Sequence, residues 1–323
     1  MTPSPRLVSL VVPVYCEQEV LGEFYRRTKA VLVALPPDLA HEIVFVNDGS
    51  TDGSLAILRA MAERDPCVRI LDLSRNFGHQ KAITAGIDHA AGDAVVVIDA
   101  DLQDPPEVVR DMVRAWTDGA KVVYGVRRAR PGESAFKRAS ASLFYRLIAR
   151  LADVRLAGDS GDFRLIDRAV VDVLKGMRED SRYVRGLVSW VGFAQQALPY
   201  EREARYAGQT KYPLRKMLRF ATDAITSFSE RPLRIATGVG MLITAGALAL
   251  AAWVVIGKLL APERSVQGWT SVIVTVLFLG GVQLLSIGVL GEYIGRVYRE
   301  TKDRPLYVVA DRYGFGTRDE CPK

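Results

Sequence analysis

Residues 94–106 read AVVVIDADLQDPP, and this stretch decides the fold. The apolar run at its start predicts a strand buried on both faces of a parallel sheet. Asp99 and Asp101 follow at once, and carboxylates at positions i and i+2 can converge on one divalent cation in the bend before Pro105. Carboxylate oxygens suit Mg²⁺ or Mn²⁺, and the amide oxygen of Gln103 is a further candidate ligand. An isolated DxD triplet is more often a solvated turn, but this context favours a metal site for a nucleotide diphosphate.

Similar strands recur through the first half of the chain and alternate with amphipathic segments of helical length. The predicted strands are 7–15, 43–47, 68–73, 94–98 and 122–126, and the predicted helices are 20–35, 54–64, 80–90 and 106–118. This alternation predicts an α/β fold with a parallel sheet covered on both faces. In such folds ligands bind beyond the carboxyl ends of the strands, which is where the polar motifs of this chain lie.

The second strand ends in NDGSTDG, residues 47–53. The ordinary interpretation is a turn in which Thr51 or Asp52 caps the following helix. Asp48 also lies at the carboxyl end of a strand, where its carboxylate can accept a hydrogen bond from a nucleobase or a ribose hydroxyl. The sequence therefore allows both a capping role for the turn and a binding role for Asp48.

The first strand ends in PVYCE, where Pro13, Tyr15 and Glu17 are candidates for contacts with the base and ribose. No GxGxxG motif follows this strand, and the Walker pattern is absent from the chain. Phosphate must then be held by metal and by basic side chains. Arg127, in YGVRR at the end of the fifth strand, is placed for that task.

The composition indicates that the chain has a polar part and a separate apolar part. The chain has 323 residues, of which 25% are charged, and a formal net charge of +6. Its mean hydropathy is nevertheless +0.09. The modest positive charge fits contact with anionic lipids or phosphates and gives little support for nucleic-acid binding. The cysteines at positions 16, 67 and 321 form no CxxC or Cys/His cluster, which predicts neither structural zinc nor a disulfide framework.

Two long uncharged runs, residues 235–257 and 268–291, account for the apolar part. Each has about 23 residues, enough for a helix to cross a hydrocarbon core of about 30 Å. The short link between them predicts a membrane hairpin. Basic residues are concentrated before the first run and after the second, and the link has only Lys258 and Arg264. This bias predicts an inner-membrane protein whose N-terminal domain and both termini are cytoplasmic.

Two amphipathic stretches with basic flanks, 136–151 and 212–232, precede the membrane hairpin. Each could be an ordinary helix packed on the core. The basic flanks and the apolar runs that follow favour helices lying at the bilayer interface. These boundaries predict a cytoplasmic domain over 1–211, two spans within 233–296 and a cytoplasmic tail over 297–323.

With these segments in view, the chain resembles the family 2 glycosyltransferases of GT-A fold. Within that family it is similar to the polyprenyl-phosphate glycosyltransferases, which include dolichol-phosphate mannose synthases and bacterial undecaprenyl-phosphate glucosyl- and aminoarabinosyltransferases. The matching segments cover nearly the whole chain: VVPVYCEQE, FVNDGSTDGS, LSRNFGHQKAITAGIDHAAGD, DADLQDPPE, YGVRR, GDFRLIDR, RYAGQTKYPLRK and GEYIGRVYRETKDRPLYVV. One departure is Cys16, where the family usually has asparagine. The resemblance implies a GT-A, Rossmann-like catalytic domain over 1–211.

The resemblance also implies the residues of the donor side. Asp48 is expected to contact the nucleobase, and the metal and diphosphate are expected on Asp99, Asp101 and Gln103. In the segment RYAGQTKY, Thr210 and Lys211 are expected to close over the donor phosphates or the lipid phosphate, although Lys211 could instead touch only lipid headgroups.

On the acceptor side, the resemblance implies four arginines that bind the phosphate: Arg127, Arg138, Arg164 and Arg205. Asp162, in GDFR, is the best candidate for a catalytic base, although a structural pairing of Asp162 with Arg164 stays open. The expected catalytic residues are therefore Asp162, Asp101 and Arg127.

The implied reaction is a metal-dependent, inverting transfer of one sugar from a nucleotide-sugar to a polyprenyl phosphate such as undecaprenyl phosphate, for modification of cell-envelope glycans such as lipopolysaccharide. UDP-glucose is the expected donor, and GDP-mannose, UDP-GlcNAc and a UDP-aminoarabinose stay open. The acceptor phosphate is already anionic, so no histidine is needed as a base, and His41, His79 and His89 are expected to be structural.

Two other classes of protein stay open. A processive polysaccharide synthase usually has more spans and a QxxRW motif, which this chain lacks. A non-catalytic membrane component would leave the DxD and NDGSTD motifs unexplained. The tail segment RPLYVV, residues 304–309, is typical of a strand and could pair with the sheet edge of a neighbouring subunit, so a homo-oligomer, possibly a tetramer, is a further hypothesis.

Overall fold

The computed structural model describes residues 6–127, 160–180, 182–202, 231–260 and 269–315. Both predicted interfacial stretches lie outside these residues, apart from the last two residues of the second. The predicted phosphate-binding residues Arg138, Arg205 and Lys211 also lie outside them. The described residues divide into two units, which are considered separately below.

The first unit contains eight strands and six helices. The strands are β1 Arg6–Val14, β2 Leu39–Asn47, β3 Val68–Leu73, β4 Ala94–Val97, β5 Val122–Arg127, β6 Ser160–Asp167, β7 Gln195–Tyr200 and β8 Val309–Tyr313. The helices are α1 Leu21–Val33, α2 Ser54–Arg64, α3 His79–His89, α4 Val108–Thr117, α5 Arg168–Gly176 and α6 Val184–Trp190. The strands and helices predicted for the first half of the chain are thus present, within a few residues at each end.

The apolar runs of the sequence form the centre of the sheet. All four residues of β4 and the last seven of β1 are buried, because helices cover both faces of these strands. Gly86 lets α3 approach the sheet closely, since a Cβ atom at this position would lie 2.2 Å from Cγ1 of Val11. The helix that begins at His79 therefore packs closely on β1 in its C-terminal half.

The sheet is mixed, and the prediction of a parallel sheet is correct only for its centre. The strand order is β7-β5-β6-β4-β1-β2-β3-β8. Strands β4, β1, β2 and β3 are parallel, whereas β6 lies antiparallel between β4 and β5. Strands β6 and β7 were not predicted, because nothing in their local sequence indicates that β6 inserts next to β4. This insertion brings residues 160–164 beside the DxD motif.

The chain after the apolar segments returns to the first unit as an edge strand. β8 pairs antiparallel with β3, and Val308 O accepts a hydrogen bond of 2.9 Å from Ser74 N. The prediction of a strand over 304–309 is wrong for all of these residues except Val309, because the strand of the tail is Val309–Tyr313 and its partner is β3 of the same chain.

The positions of the cysteines predict no disulfide framework, and Cys67 is nevertheless disulfide-bonded.

The second unit consists of two long helices that contact each other, α7 Arg231–Leu260 and α8 Trp269–Glu300. Both predicted spans, 235–257 and 268–291, fall almost entirely within them. In the part of the chain that the structure describes, one helical stretch is long and apolar enough to cross a membrane, the 23 residues of Phe278–Glu300. The first predicted span stays a prediction.

Candidate active site

The loops that follow β1 and β2 are bound to each other by hydrogen bonds. Ser50 Oγ accepts from Cys16 N at 3.0 Å, Ser54 Oγ accepts from Glu17 N at 3.0 Å, and Gln18 Oε1 accepts from Gly53 N at 2.8 Å. Cys16 has a φ of 55°, in the left-handed region that asparagine adopts more readily than cysteine. The family's usual asparagine therefore has a conformational reason at this position, and the exposed ring of Tyr15 precedes it at the loop entrance.

Asp48 is a buried residue whose carboxylate binds backbone N–H groups. Its side-chain oxygens accept hydrogen bonds from Phe77 N at 2.7 Å and Gly78 N at 3.0 Å, and the residue is only 3% exposed. Burial raises the pKa of Asp48, and the two backbone hydrogen bonds oppose this effect. The carboxylate thus fixes the segment that leads into α3, while its predicted contact with a nucleobase stays a prediction.

Asp99 and Asp101 occupy the turn beyond β4. Asp101 Oδ1 accepts a hydrogen bond of 3.1 Å from Gln103 N, and Leu102 between them has a φ of 57°. Asp99 Oδ1 is covered from solvent and has no hydrogen-bond partner among the described residues. Burial raises the pKa of Asp99, the charge of His79 opposes this effect and the nearby carboxylates add to it, so that the pKa is raised to about 6. The turn therefore holds a carboxylate whose buried oxygen makes no hydrogen bond within the described residues and has His79 Nε2 at 3.5 Å.

This arrangement fits a divalent cation. Within the parts of the chain that the structure describes, no three side chains of His, Cys, Asp or Glu are arranged as a ready-made metal site. Asp99 and Asp101 can supply two oxygen ligands, and the Oδ1 atom of Asp99, which has no hydrogen-bond partner among the described residues, is suited to a hard cation. The remaining ligands would have to come from Gln103, water or the diphosphate of a bound nucleotide.

The Asp99 and Asp101 turn is the first of three clusters in the site, and the carboxylate of Asp162 lies at the centre of the second. It accepts hydrogen bonds from Gln80 Nε2 at 3.0 Å and from Arg185 Nε at 2.7 Å, and Nε2 of His79 lies 3.3 Å away. Burial would raise the pKa of Asp162, but the His79 hydrogen bond and the Arg185 charge outweigh burial and lower this pKa well below its usual range. A carboxylate in this state is a weak base, so the geometry gives no support to proton abstraction by Asp162.

His79 connects the two clusters. Its Nε2 atom lies 3.5 Å from Asp99 Oδ1 and 3.3 Å from Asp162 Oδ2. Burial lowers the pKa of His79, but the Asp162 hydrogen bond and the Asp99 charge raise it to about 9. The expectation that His79 is structural stays a prediction, and the structure adds that its imidazole faces both carboxylates. The signal that could have found it is its place in FGHQ, inside one of the family-like segments.

A third cluster surrounds the buried carboxylate of Asp104. Tyr200 donates its hydroxyl hydrogen to Asp104, and the guanidinium groups of Arg127 and Arg202 lie 3.8 Å and 3.4 Å from it. Arg127 and Tyr200 are paired in register at the ends of β5 and β7. The predicted phosphate-binding residue Arg127 is thus held by two residues, Asp104 and Tyr200, that the sequence reasoning missed.

Arg164 is in a different environment from the one expected for a phosphate-binding residue. It is 3% exposed, and its Nη2 atom donates a 2.9 Å hydrogen bond to Gly161 O. Burial lowers the pKa of Arg164 to about 10. The guanidinium hydrogen-bonded to Asp162 belongs to Arg185, so the alternative pairing of Asp162 with Arg164 is not what the structure contains.

The model of glycosyl transferase family 2 matches residues 9–174, which contain β1 to β6 and the three clusters apart from Arg185, Tyr200 and Arg202. The chain belongs to glycosyl transferase family 2. The protein is therefore a glycosyltransferase with a GT-A-like mixed sheet. A second family model, the GtrB C-terminal hairpin, matches residues 231–297, the region of α7 and α8.

The glycosyltransferase has curated relatives of nearly its own length. It is 51% identical to the uncharacterized glycosyltransferase YkcC of Bacillus subtilis, over 95% of this chain and 94% of the relative. It is 42% identical to a prophage bactoprenol glucosyl transferase homolog of Escherichia coli, over 94% and 98% of the two chains. Among solved structures, it is similar to the mannosyltransferase PcManGT of Pyrobaculum calidifontis in complex with GDP-Man and Mn²⁺, with 19% identity, 88% of each chain covered and a TM-score of 0.43.

Proposed function

We propose that this glycosyltransferase transfers one glucosyl group from UDP-glucose to a polyprenyl phosphate at the cytoplasmic face of the inner membrane, with the help of Mg²⁺ or Mn²⁺. The observation that carries the proposal is the Asp99 and Asp101 pair beyond β4, in which the buried Oδ1 of Asp99 has no hydrogen-bond partner among the described residues. The relatives named bactoprenol glucosyl transferases support the choice of acceptor and sugar. The match of residues 231–297 to a hairpin family supports attachment to the membrane.

Different residues of the site would bind the donor and the acceptor. Asp99, Asp101 and Gln103 would hold the cation, which when bound would neutralise charge developing on the departing diphosphate. Arg127, whose Nη2 atom lies 3.8 Å from Asp104, would bind phosphate. Because a lipid phosphate is already anionic at neutral pH, the reaction needs little proton abstraction, and a strongly ionised Asp162 is no obstacle. Positioning for a single inverting displacement then supplies most of the rate enhancement.

The membrane topology of the proposal follows from charge. Arg296 and Arg299 lie in the last two turns of α8, Lys302 follows this helix, and basic residues are also concentrated before α7. Such an excess favours the cytoplasmic side, so both termini and the first unit are proposed to be cytoplasmic. A tetramer is kept as a proposal because β8 is the last strand of the sheet and leaves one edge unpaired within the described residues. Finding only monomer by mass measurement in detergent would remove it.

A donor panel tests the proposed reaction. Purified full-length protein in detergent would be incubated with undecaprenyl phosphate, Mn²⁺ and one labelled donor at a time: UDP-glucose, UDP-GlcNAc, GDP-mannose or a UDP-aminoarabinose. We expect chloroform-extractable label from UDP-glucose, and its loss in Asp101→Asn. Asp111→Asn, which changes an exposed carboxylate on α4, is the matched control and should retain activity.

Each other outcome of this panel has a definite meaning. Extractable label from a different donor would leave the reaction class in place and correct the sugar. Long, non-extractable polymer would favour a processive synthase. No transfer from any donor, with correctly inserted protein, would favour a non-catalytic membrane component and contradict the proposal.

A further inference from the structure

The carboxylate of Asp162 is nearly saturated with donors. Oδ2 faces Gln80 Nε2 at 3.0 Å, Arg185 Nη2 at 3.2 Å and His79 Nε2 at 3.3 Å, and Oδ1 faces Arg185 Nε at 2.7 Å. A carboxylate offers about four lone-pair directions, so little capacity is left for a substrate. The side chain is also only 8% exposed. Asp162 is therefore an anchor for the side chains around it.

Besides the imidazole of His79, whose side chain is 44% exposed, this cluster contains a second accessible cation, Arg185. Its side chain is 30% exposed, in contrast to the 3% exposure of Arg164 on the neighbouring strand β6. The side-by-side hydrogen bonds from Nε and Nη2 to Asp162 fix the plane of the guanidinium. A guanidinium that is held in a fixed plane and is partly exposed suits recognition of phosphate oxygens.

Gln80 connects this arginine to the helix that carries it. The Gln80 side chain donates from Nε2 to Asp162 and accepts, through Oε1, a 3.0 Å hydrogen bond from Val184 N at the start of α6. Residues 184 and 185 are consecutive, so one amide fixes both the backbone beside Arg185 and the carboxylate that Arg185 binds. Gln80 therefore holds the guanidinium of Arg185 in position both through Asp162 and through the backbone of Val184.

The carboxylates of this region favour a cation beside the bound acceptor. His79 Nε2 lies 3.5 Å from Asp99 Oδ1 and 3.3 Å from Asp162 Oδ2, so the two carboxylates share one region. An anionic acceptor would be repelled by these carboxylates unless cations face it. Arg185, which binds Asp162 through Nε and Nη2, is such a cation.

We propose that Arg185 binds the phosphate group of the lipid acceptor, and that Asp162 and Gln80 are positioning residues for its guanidinium. This inference rests on the proposed function, because it names the side chain that holds the acceptor's anionic group. It replaces the expectation that Arg164 has this role, since Arg164 is covered and bound to Gly161 O.

Equilibrium binding of farnesyl phosphate, a soluble phosphomonoester probe, tests the inference without requiring turnover. Calorimetry with the full-length protein in detergent should show binding to the wild type and a loss of about ten- to a hundredfold in Arg185→Gln, the range expected for hydrogen bonds to a charged group. Arg185→Lys, which keeps the charge, should lose less. Arg178→Gln is the matched control, because Arg178 forms a similar 2.7 Å ion pair with Asp88 away from the site, and it should bind as the wild type does.

The double variant Asp162→Asn, Arg185→Gln separates binding from a purely structural role. If Arg185 only neutralises Asp162, removing both charges should restore affinity, and the inference fails. If Arg185 contacts the phosphate, the double variant stays as weak as Arg185→Gln. Equal binding by Arg185→Gln and the wild type would overturn the inference while sugar transfer to undecaprenyl phosphate continued. No binding and no transfer by the wild type would overturn the proposed function as well.

Discussion

Tyr307 donates a 2.8 Å hydrogen bond from its hydroxyl group to Oδ2 of Asp88. Asp88 lies near the end of α3, and Tyr307 lies between α8 and β8. Arg178 binds the same carboxylate oxygen at 2.7 Å, and the ring of Tyr307 meets that of His89 edge-on at 6.0 Å between centroids. The segment that follows the apolar helices is therefore anchored on the helix whose first residue, His79, faces the carboxylates of Asp99 and Asp162.

The first prediction concerns this anchor. Tyr307→Phe removes the hydroxyl and leaves Asp88 with Arg178, so we expect a loss of about 1 kcal/mol in the free energy of unfolding. For a unit of this size that corresponds to about 2–4 °C in the thermal midpoint, measured by fluorescence in detergent. Tyr298→Phe, at an exposed position on α8, is the control and should leave the midpoint unchanged. An unchanged midpoint in Tyr307→Phe would show that the anchor contributes nothing to stability.

The second prediction concerns the buried carboxylate of Asp104. Tyr200→Phe deletes the hydroxyl that donates to Asp104, and this should cost about 1–3 kcal/mol because a buried charge loses a partner. The same change removes the 3.4 Å contact with Nε of Arg127, so sugar transfer should also fall. Thermal unfolding and the transfer assay measure the two effects.

Tyr124→Phe on the neighbouring strand β5 is the control for this experiment. The described residues provide no hydrogen-bond partner for the Tyr124 hydroxyl, so its loss should be tolerated. Equal behaviour of the Tyr200 and Tyr124 variants would contradict the role assigned to the Asp104 cluster.

The third prediction concerns pH and His41. Burial lowers the pKa of His41, and the Lys29 charge lowers it further against Asp65. Nζ of Lys29 lies 3.3 Å from His41 Nε2. The unfolded chain therefore binds a proton on His41 more readily than the folded chain does. The contribution of His41 to the free energy of unfolding is fully present above the unfolded pKa of 6.5, and it is lost as the pH falls through the folded pKa.

A comparison of the wild type with His41→Asn between pH 8 and pH 5 measures this effect. The difference between the two thermal midpoints should be constant above about pH 6.5 and should shift against the wild type at lower pH. A difference that does not change with pH would contradict the assignment.

The central part of the fold could be predicted from the sequence, because local patterns determine it. The strand 68–73 and the helix 54–64 have the predicted limits in the structure, since continuous apolar runs and amphipathic periodicity determine these elements. The direction of β6 could not be predicted, because strand direction depends on the pairing with β4 and β5 rather than on local residues.

The same limit applies to the site. Asp99 and Asp101 could be found because they are close in sequence and follow a recognisable strand. His79 and Asp162 are 83 positions apart, and Arg185 is a further 23 from Asp162, so no spacing rule connects them. Only the fold shows that these three side chains meet.

The central claim is that Asp99 and Asp101 hold the cation through which the nucleotide diphosphate binds. Isothermal titration of UDP into the full-length protein tests this claim most directly, with Mn²⁺, with EDTA, and in Asp101→Asn beside Asp111→Asn. We predict that binding requires Mn²⁺, weakens by at least about tenfold in Asp101→Asn, and is unchanged in Asp111→Asn. Equal affinity in EDTA, or full affinity in Asp101→Asn, would contradict the claim.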